Sequence, residues 1–242
     1  LLKHTGHDYK AVIERWQALV SGTGASIEKL YGRGEDAVYV IQTELARTRG
    51  DDGIYISAGV HGDECAPVNA LLEWVENDPE LLEDRSLTLF PCLNPFGLRE
   101  NTRRDKDGVD LNRNFQNREI PLIRAWMADR RFSIAVNLHE DYDSNGIYIY
   151  ELAEDDGLAE RLLSACEGVI PREMNAEVDG SPFENGIMVR EGNLREIVEE
   201  DLDGGFPEAI YLKLHHTDCA LTFESPSEFS LTDRVAVHRR FL

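Results

Sequence analysis

A short apolar, β-rich run, Ile54-Tyr55-Ile56-Ser57, leads through Ala58-Gly59-Val60 into His61-Gly62-Asp63-Glu64. A helical pattern with proline in its first turn follows, Ala66-Pro67-Val68-Asn69-Ala70-Leu71-Leu72. This strand–turn–helix order constrains the fold more than any other feature of the chain. It puts His61 and Glu64 in the tight connection at the carboxyl end of a strand, where ligands bind in open α/β sheets. An imidazole and a carboxylate three residues apart can converge on one ion, and nitrogen with oxygen donors suits zinc. By itself the spacing is a weak signal, since a surface turn with a capping Glu has the same letters. The partners elsewhere in the chain decide.

Two other strands end in the same way. Phe132-Ser133-Ile134-Ala135-Val136-Asn137-Leu138 runs to His139, and Cys219-Ala220-Leu221-Thr222-Phe223 runs to Glu224. His61, Glu64 and His139 would make three protein ligands and leave a fourth position open, as in a catalytic rather than a structural zinc site. One zinc ion per chain is expected on that ground. Glu224 is then the candidate general base, taking a proton from water and passing it to a leaving amine. Its alternative role is a strand-end carboxylate capping a nearby turn.

A polar loop between these strands carries Asn94-Pro95-Phe96-Gly97 and then the run Arg103-Arg104-Asp105-Lys106-Asp107-Gly108-Val109-Asp110-Leu111-Asn112-Arg113-Asn114-Phe115. A guanidinium fork beside an amide can grip a substrate carboxylate through paired hydrogen bonds. A second arginine aimed at a scissile carbonyl would stabilise an oxyanion. Loop arginines also serve surface ion pairs.

The basic cluster stands out because the chain carries 46 Asp plus Glu against 25 Lys plus Arg, a net charge of -21. Such a surface repels phosphate backbones and anionic lipid, so neither nucleic acid nor a membrane is an expected partner. No apolar run approaches the ~20 residues of a bilayer span. The acids are spread along the whole chain, which favours solubility over a docking patch for cationic substrates. Cys65, Cys92, Cys166 and Cys219 lack CxxC spacing and sit among apolar neighbours. They read as buried thiols of a reducing compartment, so a cytoplasmic location is expected, while a start at Leu rather than Met leaves export open.

With 242 residues the expectation is one domain, 1–242, around one sizeable core. Residues 8 to 21 set Tyr9, Val12, Ile13, Trp16, Leu19 and Val20 on one helical face, closed by Gly22. Strands are expected at 26–31, 37–43, 54–57, 86–90, 132–138, 147–152 and 219–223. Helices are expected after Pro67, over 156–168, over 209–216 and after Ser230. His215-His216 reads as a helix end, His238 as packing, and Trp16, Trp74 and Trp126 as core. Residues 171–205, acidic and punctuated by glycine, resist assignment and fit a covering loop. The alternation predicts an α/β fold, a mostly parallel or mixed twisted sheet with helices on both faces.

Taken together, His61-Gly62-Asp63-Glu64, Asn94-Pro95-Phe96-Gly97, Gly108 to Phe115, His139 and Thr222-Phe223-Glu224 resemble, in order and rough spacing, the zinc carboxypeptidase family, above all its short bacterial members. The likeness runs from about Ile54 to Ser225. It implies zinc on His61, Glu64 and His139, with Glu224 as base. It also implies Arg103 as the oxyanion arginine, with Arg104 its rival by one position, and Asn112 and Arg113 as clamp for a substrate's terminal carboxylate. The substrate so implied is a short or cell-wall-type peptide. A looser form of the same motifs belongs to the related aspartoacylase and succinylglutamate desuccinylase group, which implies an N-acyl amino acid instead. An inactive, metal-holding binding module is the alternative from another class. Two departures stand out. The family's tyrosine before a Gly-Gly pair is missing, since acids precede Gly204-Gly205, and Tyr148, Tyr150 or Tyr211 would have to substitute. Asp63 also stands where the digestive members carry arginine. The specificity pocket is expected near Phe206 and Pro207, and acids of the run Glu199 to Asp203, if they face it, would favour a basic or diamino-acid residue. Oligomeric state is not legible.

Overall fold

Strand and helix alternate as the periodicity predicts, and eight of the ten described strands assemble one mixed sheet. The computed structural model describes residues 5–49, 53–115, 121–153, 157–178, 181–189, 193–200 and 205–242. Its strands are β1 (Ser26–Tyr31), β2 (Val38–Gln42), β3 (Gly53–Ala58), β4 (Leu87–Phe90), β5 (Phe132–Asp141), β6 (Tyr148–Leu152), β7 (Glu177–Val178), β8 (Ser181–Pro182), β9 (Ile187–Val189) and β10 (Ala220–Pro226). Its helices are α1 (Tyr9–Val20), α2 (Glu44–Arg49), α3 (Cys65–Asn77), α4 (Leu81–Asp84), α5 (Pro95–Glu100), α6 (Pro121–Met127), α7 (Leu158–Cys166), α8 (Leu194–Glu200), α9 (Glu208–His215) and α10 (Leu231–Phe241). Eight strands pair in the order β1-β2-β4-β3-β5-β10-β6-β9, and β7-β8 form a separate hairpin. The centre, β4-β3-β5-β10, is parallel. Antiparallel pairs β1-β2, β2-β4 and β10-β6 flank it.

Successive side chains of a strand point to opposite faces. Ile56, Ala58, Val136, Leu138, Leu221 and Phe223 therefore enter one buried cluster, with Trp16, Leu71 and Phe241 of the helices. Tyr55, Ala135, Leu152 and Ala220 enter another, with Phe90, Phe115, Met127 and Leu212. His139, Glu224 and Tyr148 share the parity of this second set, so all three project from the same face of the sheet. They also lie side by side, Glu224 opposite His139 on one neighbour and opposite Tyr148 on the other.

Some expectations needed revision. The loop from Asn94 contains α5, begun by Asn94, whose Oδ1 accepts from Gly97 N at 2.9 Å, and Pro95 in the first turn. A 3₁₀ turn covers Leu111–Arg113. Helices α2, α4, α5 and α6 are four to seven residues long, too short to show a period of 3.6. The stretch from residue 171 holds β7, β8, β9 and α8. Asp51, Asp52, Asp156, and the residues 201–204 that include most of the acidic run and Gly204, lie outside the described residues. Among the described residues no helix is long and apolar enough to cross a membrane. No disulfide joins the cysteines; Cys65, Cys92 and Cys166 are buried and Cys219 is half-buried.

Candidate active site

The carboxyl ends of β3, β5 and β10 deliver the site. His61 and Glu64 leave β3 in the turn before α3, His139 sits within β5, and Glu224 within β10. One donor atom from each of His61, Glu64 and His139 lies within 4.8 Å of the others, and all three residues are buried. Glu64 Oε1 is 2.5 Å from His61 Nδ1, and its Oε2 is 2.9 Å from His139 Nδ1. Two Nδ1 atoms and a carboxylate thus converge on one point, a donor set that fits zinc.

The turn is held from behind by the second motif. A Cβ on Gly62 would stand 2.0 Å from the carbonyl carbon of Gly97, so the first motif needs a glycine where the backbone of the second crosses it. Leu93 N and Asn94 N donate to Ala58 O and Gly59 O, and Asn94 Nδ2 donates to Arg103 O at 3.3 Å. Asp110, to which the sequence alone assigns no role, ties the parts together. Its Oδ1 accepts from His61 Nε2 at 3.3 Å and its Oδ2 from Arg103 Nε at 2.8 Å. A proton on Nε2 leaves Nδ1 free to ligate, and a carboxylate behind a ligating histidine fixes ring and tautomer. Glu140, adjacent to His139, was also missed. Its Oε2 accepts from Ala66 N at the start of α3 at 2.9 Å, and its Oε1 pairs with Arg234 of α10. The signal for it was a second acid directly after a ligand.

The charges follow from burial and neighbours. Burial alone would depress His61, but Glu64 and the bond to Asp110 outweigh it and push the imidazole up to about 9. Burial would raise Glu64, yet the two imidazoles hold it well below the usual carboxylate range. Glu224 is pushed the other way: burial dominates, His139 opposes, and Glu64 with Asp141 add to the upward shift. Two buried acids in one cavity are thus driven apart.

Comparison with known proteins bears on this architecture. The succinylglutamate desuccinylase/aspartoacylase catalytic domain matches residues 51–147. Carboxypeptidase D of Anas platyrhynchos is 25% identical over 182 residues, 57% of this chain and 13% of that protein. The crystal structure of a candidate metallopeptidase from Shewanella amazonensis SB2B superposes with a TM-score of 0.82, at 19% identity, over 98% of this chain and 91% of that one. That of a metallo-carboxypeptidase from Burkholderia cenocepacia gives 0.66, at 15% identity, over 96% and 66%. The chain has the metallocarboxypeptidase fold. It spans only a small part of its curated relative.

Within that fold, a cavity of about 240 Å³ contains His61, Glu64, His139, Glu224, Arg103, Asn112 and Arg113 together. Arg103 Nη1 stands 3.2 Å from His61 Nδ1. Asn112 Oδ1 accepts from Glu208 N at 2.9 Å, which orients its amide so that the NH₂ is left to donate. Arg104 is not brought in; it is exposed, and its Nη1 donates to Gly108 O of its own loop at 2.9 Å. Of the tyrosines weighed as substitutes, Tyr148 and Tyr150 line the cavity. Tyr211 instead packs in the core beside Phe115, with ring centroids 5.5 Å apart. Pro207 reaches the cavity, whereas Phe206 is buried with Tyr211. Glu199 is exposed on α8. His215 ends α9, and His216 Nδ1 bonds to Arg130 O. His238 is fully buried with Nε2 3.0 Å from Ser225 Oγ.

Proposed function

We propose that this chain is a zinc-dependent hydrolase cleaving an amide bond next to a free carboxylate, as a metallocarboxypeptidase of short or cell-wall-type peptides. One observation carries the reading: three ligand atoms converge at strand ends with a fourth, non-ligating acid, Glu224, beside them in the same cavity. Zinc held by His61, Glu64 and His139 would supply Lewis-acid chemistry to the scissile carbonyl and to water. Glu224, kept basic by its surroundings, takes the proton of the attacking water and hands it to the leaving amine. Arg103 faces the developing oxyanion, its side chain held by Asp110. Asn112 and Arg113 grip the substrate's terminal carboxylate. At about 240 Å³ the cavity is small for a ligand site, which suits a substrate of one or two residues.

A second reading, an N-acyl-amino-acid deacylase, is favoured by the matched catalytic domain, whose span includes His61, Glu64, Arg103, Asn112, Arg113 and His139. The two part on substrate. The zinc-loaded protein, offered dipeptides alongside N-acetyl and N-succinyl amino acids, should release the C-terminal amino acid of the dipeptides faster. Preference for the simple acyl amino acids would establish the deacylase, and inertness across the panel would leave only a metal-holding binding module.

A further inference from the structure

The cavity has two unlike ends. Arg103 stands at the β3 end, against His61 and Asp110. Beyond Glu224 the wall is made by Tyr148 and Tyr150 of β6, and past His139 at the carboxyl end of β5 it is made by Asp141. Asp141 is two residues beyond His139, on the same face of the strand. Its side chain is pinned: Tyr148 OH donates to Oδ2 at 3.0 Å across β10, and Asp143 N donates to Oδ1 at 3.1 Å. Its backbone is fixed too, since Ser227 N donates to Asp141 O at 2.8 Å. Each carboxylate oxygen has a second lone pair, so an oriented anion with spare acceptors faces the cavity. Glu64, Glu140 and Glu224 line the same cavity.

We propose that Asp141 is a specificity residue that receives the ammonium group of the residue on the acyl side of the cleaved bond. The preferred substrate is therefore a short peptide with a free amine next to the scissile carbonyl, a dipeptide in the limit, held by its carboxylate at Asn112 and Arg113 and its ammonium at Asp141. This rests on the carboxypeptidase reading and narrows it. The dimensions agree: two residues of strand span about 7 Å. An amine on the carbon next to the acyl carbon, plus a charge-assisted hydrogen bond of about 2.8 Å, covers a gap of that order. The same anion would disfavour a succinyl group, whose own carboxylate would meet it.

The test is a series on one leaving residue, with alanyl, lactoyl, propionyl and N-acetylalanyl as acyl part, so that amine, hydroxyl, hydrogen and blocked amine occupy one position. For the zinc-loaded enzyme kcat/KM should fall by about 30-fold or more from alanyl to propionyl and to N-acetylalanyl, with lactoyl between. In Asp141→Asn the alanyl-to-propionyl ratio should shrink to within about threefold. If Asp141 only tunes Glu224, the substitution moves the pH profiles of all four substrates together and leaves the ratios intact, which would overturn the proposal. Equal rates across the series with the native enzyme would overturn it with no variant needed, while leaving the carboxypeptidase reading standing. Cleavage of none of the four would remove both.

Discussion

The carboxyl edge of the central strands and the segment from residue 171 to 200 meet at one cavity, but they are built by opposite means. At the edge, the acids that hold the histidines and Arg103 are each tied more than once. Glu64 is bound by two imidazoles and by Glu140 N, and Asp110 holds both His61 and Arg103. The loops are locked to the strands by backbone bonds such as Asn94 N to Gly59 O at 2.8 Å. The segment that contributes Ser181 to the opposite wall is attached at the sheet's edge, by pairing of β9 with β6 and by a small separate cluster of Tyr148, Val178, Phe183 and Met188, with Tyr150 against it. Catalytic groups tolerate little displacement, whereas a substrate wall can yield. The division assigns rate to the first region and affinity to the second.

The sharpest way to break that division is Glu224→Gln. Loss of the general base should lower kcat by about 10³, while metal content, read by elemental analysis, stays at one ion per chain because Glu224 is not a ligand. Unchanged turnover with the metal retained would remove Glu224 from its role. Next in size is Asp110→Asn, which keeps the shape but weakens the carboxylate behind His61. Zinc affinity should fall about 10–100-fold. A dissociation constant equal to that of the native protein would show that His61 needs no support.

The third effect concerns protons. His61 is pushed up to about 9 in the metal-free chain, chiefly by Glu64 acting against burial. It must be neutral to ligate, so zinc must displace a proton wherever the pH is below that value. Affinity should rise roughly tenfold per pH unit from neutrality towards about 9 and level off above it. Calorimetry in two buffers of unlike ionisation enthalpy should count at least one proton released at neutral pH, since Glu64 and Glu224 also push His139 upward against its burial. A flat affinity over that window would mean that Glu64 and His61 are not coupled as the geometry has them.

The same contrast explains what could be read in the sequence. His61, Glu64, His139 and Glu224 were legible because each follows an apolar run, and parallel strands bring the carboxyl ends of those runs to one edge. Asn112 and Arg113 were legible only through the motif that contains them. Asp110 was not, because its role depends on His61, forty-nine positions away, meeting its Oδ1. Asp141 was not, because Tyr148 reaches it from a strand two places across the sheet. Arg104 was overvalued since adjacent residues in a loop point apart, and one position separates a cavity wall from solvent. The small elements past residue 171 carry neither period nor length enough to be read.

The smallest expected effect lies in that segment. Phe183 places its ring 5.2 Å from Tyr148 and 5.4 Å from Tyr150, both edge-on. Each such pair is worth ~0.5–1.5 kcal/mol beyond its buried area. Phe183→Ala removes both from a cluster that is separate from the two main cores, so the cost should fall on the wall that Tyr148 and Tyr150 present to the cavity. With ~1.4 kcal/mol corresponding to a factor of ten, KM should rise about three- to tenfold, with kcat within about twofold and zinc affinity unchanged. Steady-state kinetics on a dipeptide separates the two constants. A fall in kcat instead would mean that Tyr148, opposite Glu224 in register, needs its aromatic neighbours to keep the base in place, and the two regions would then be one.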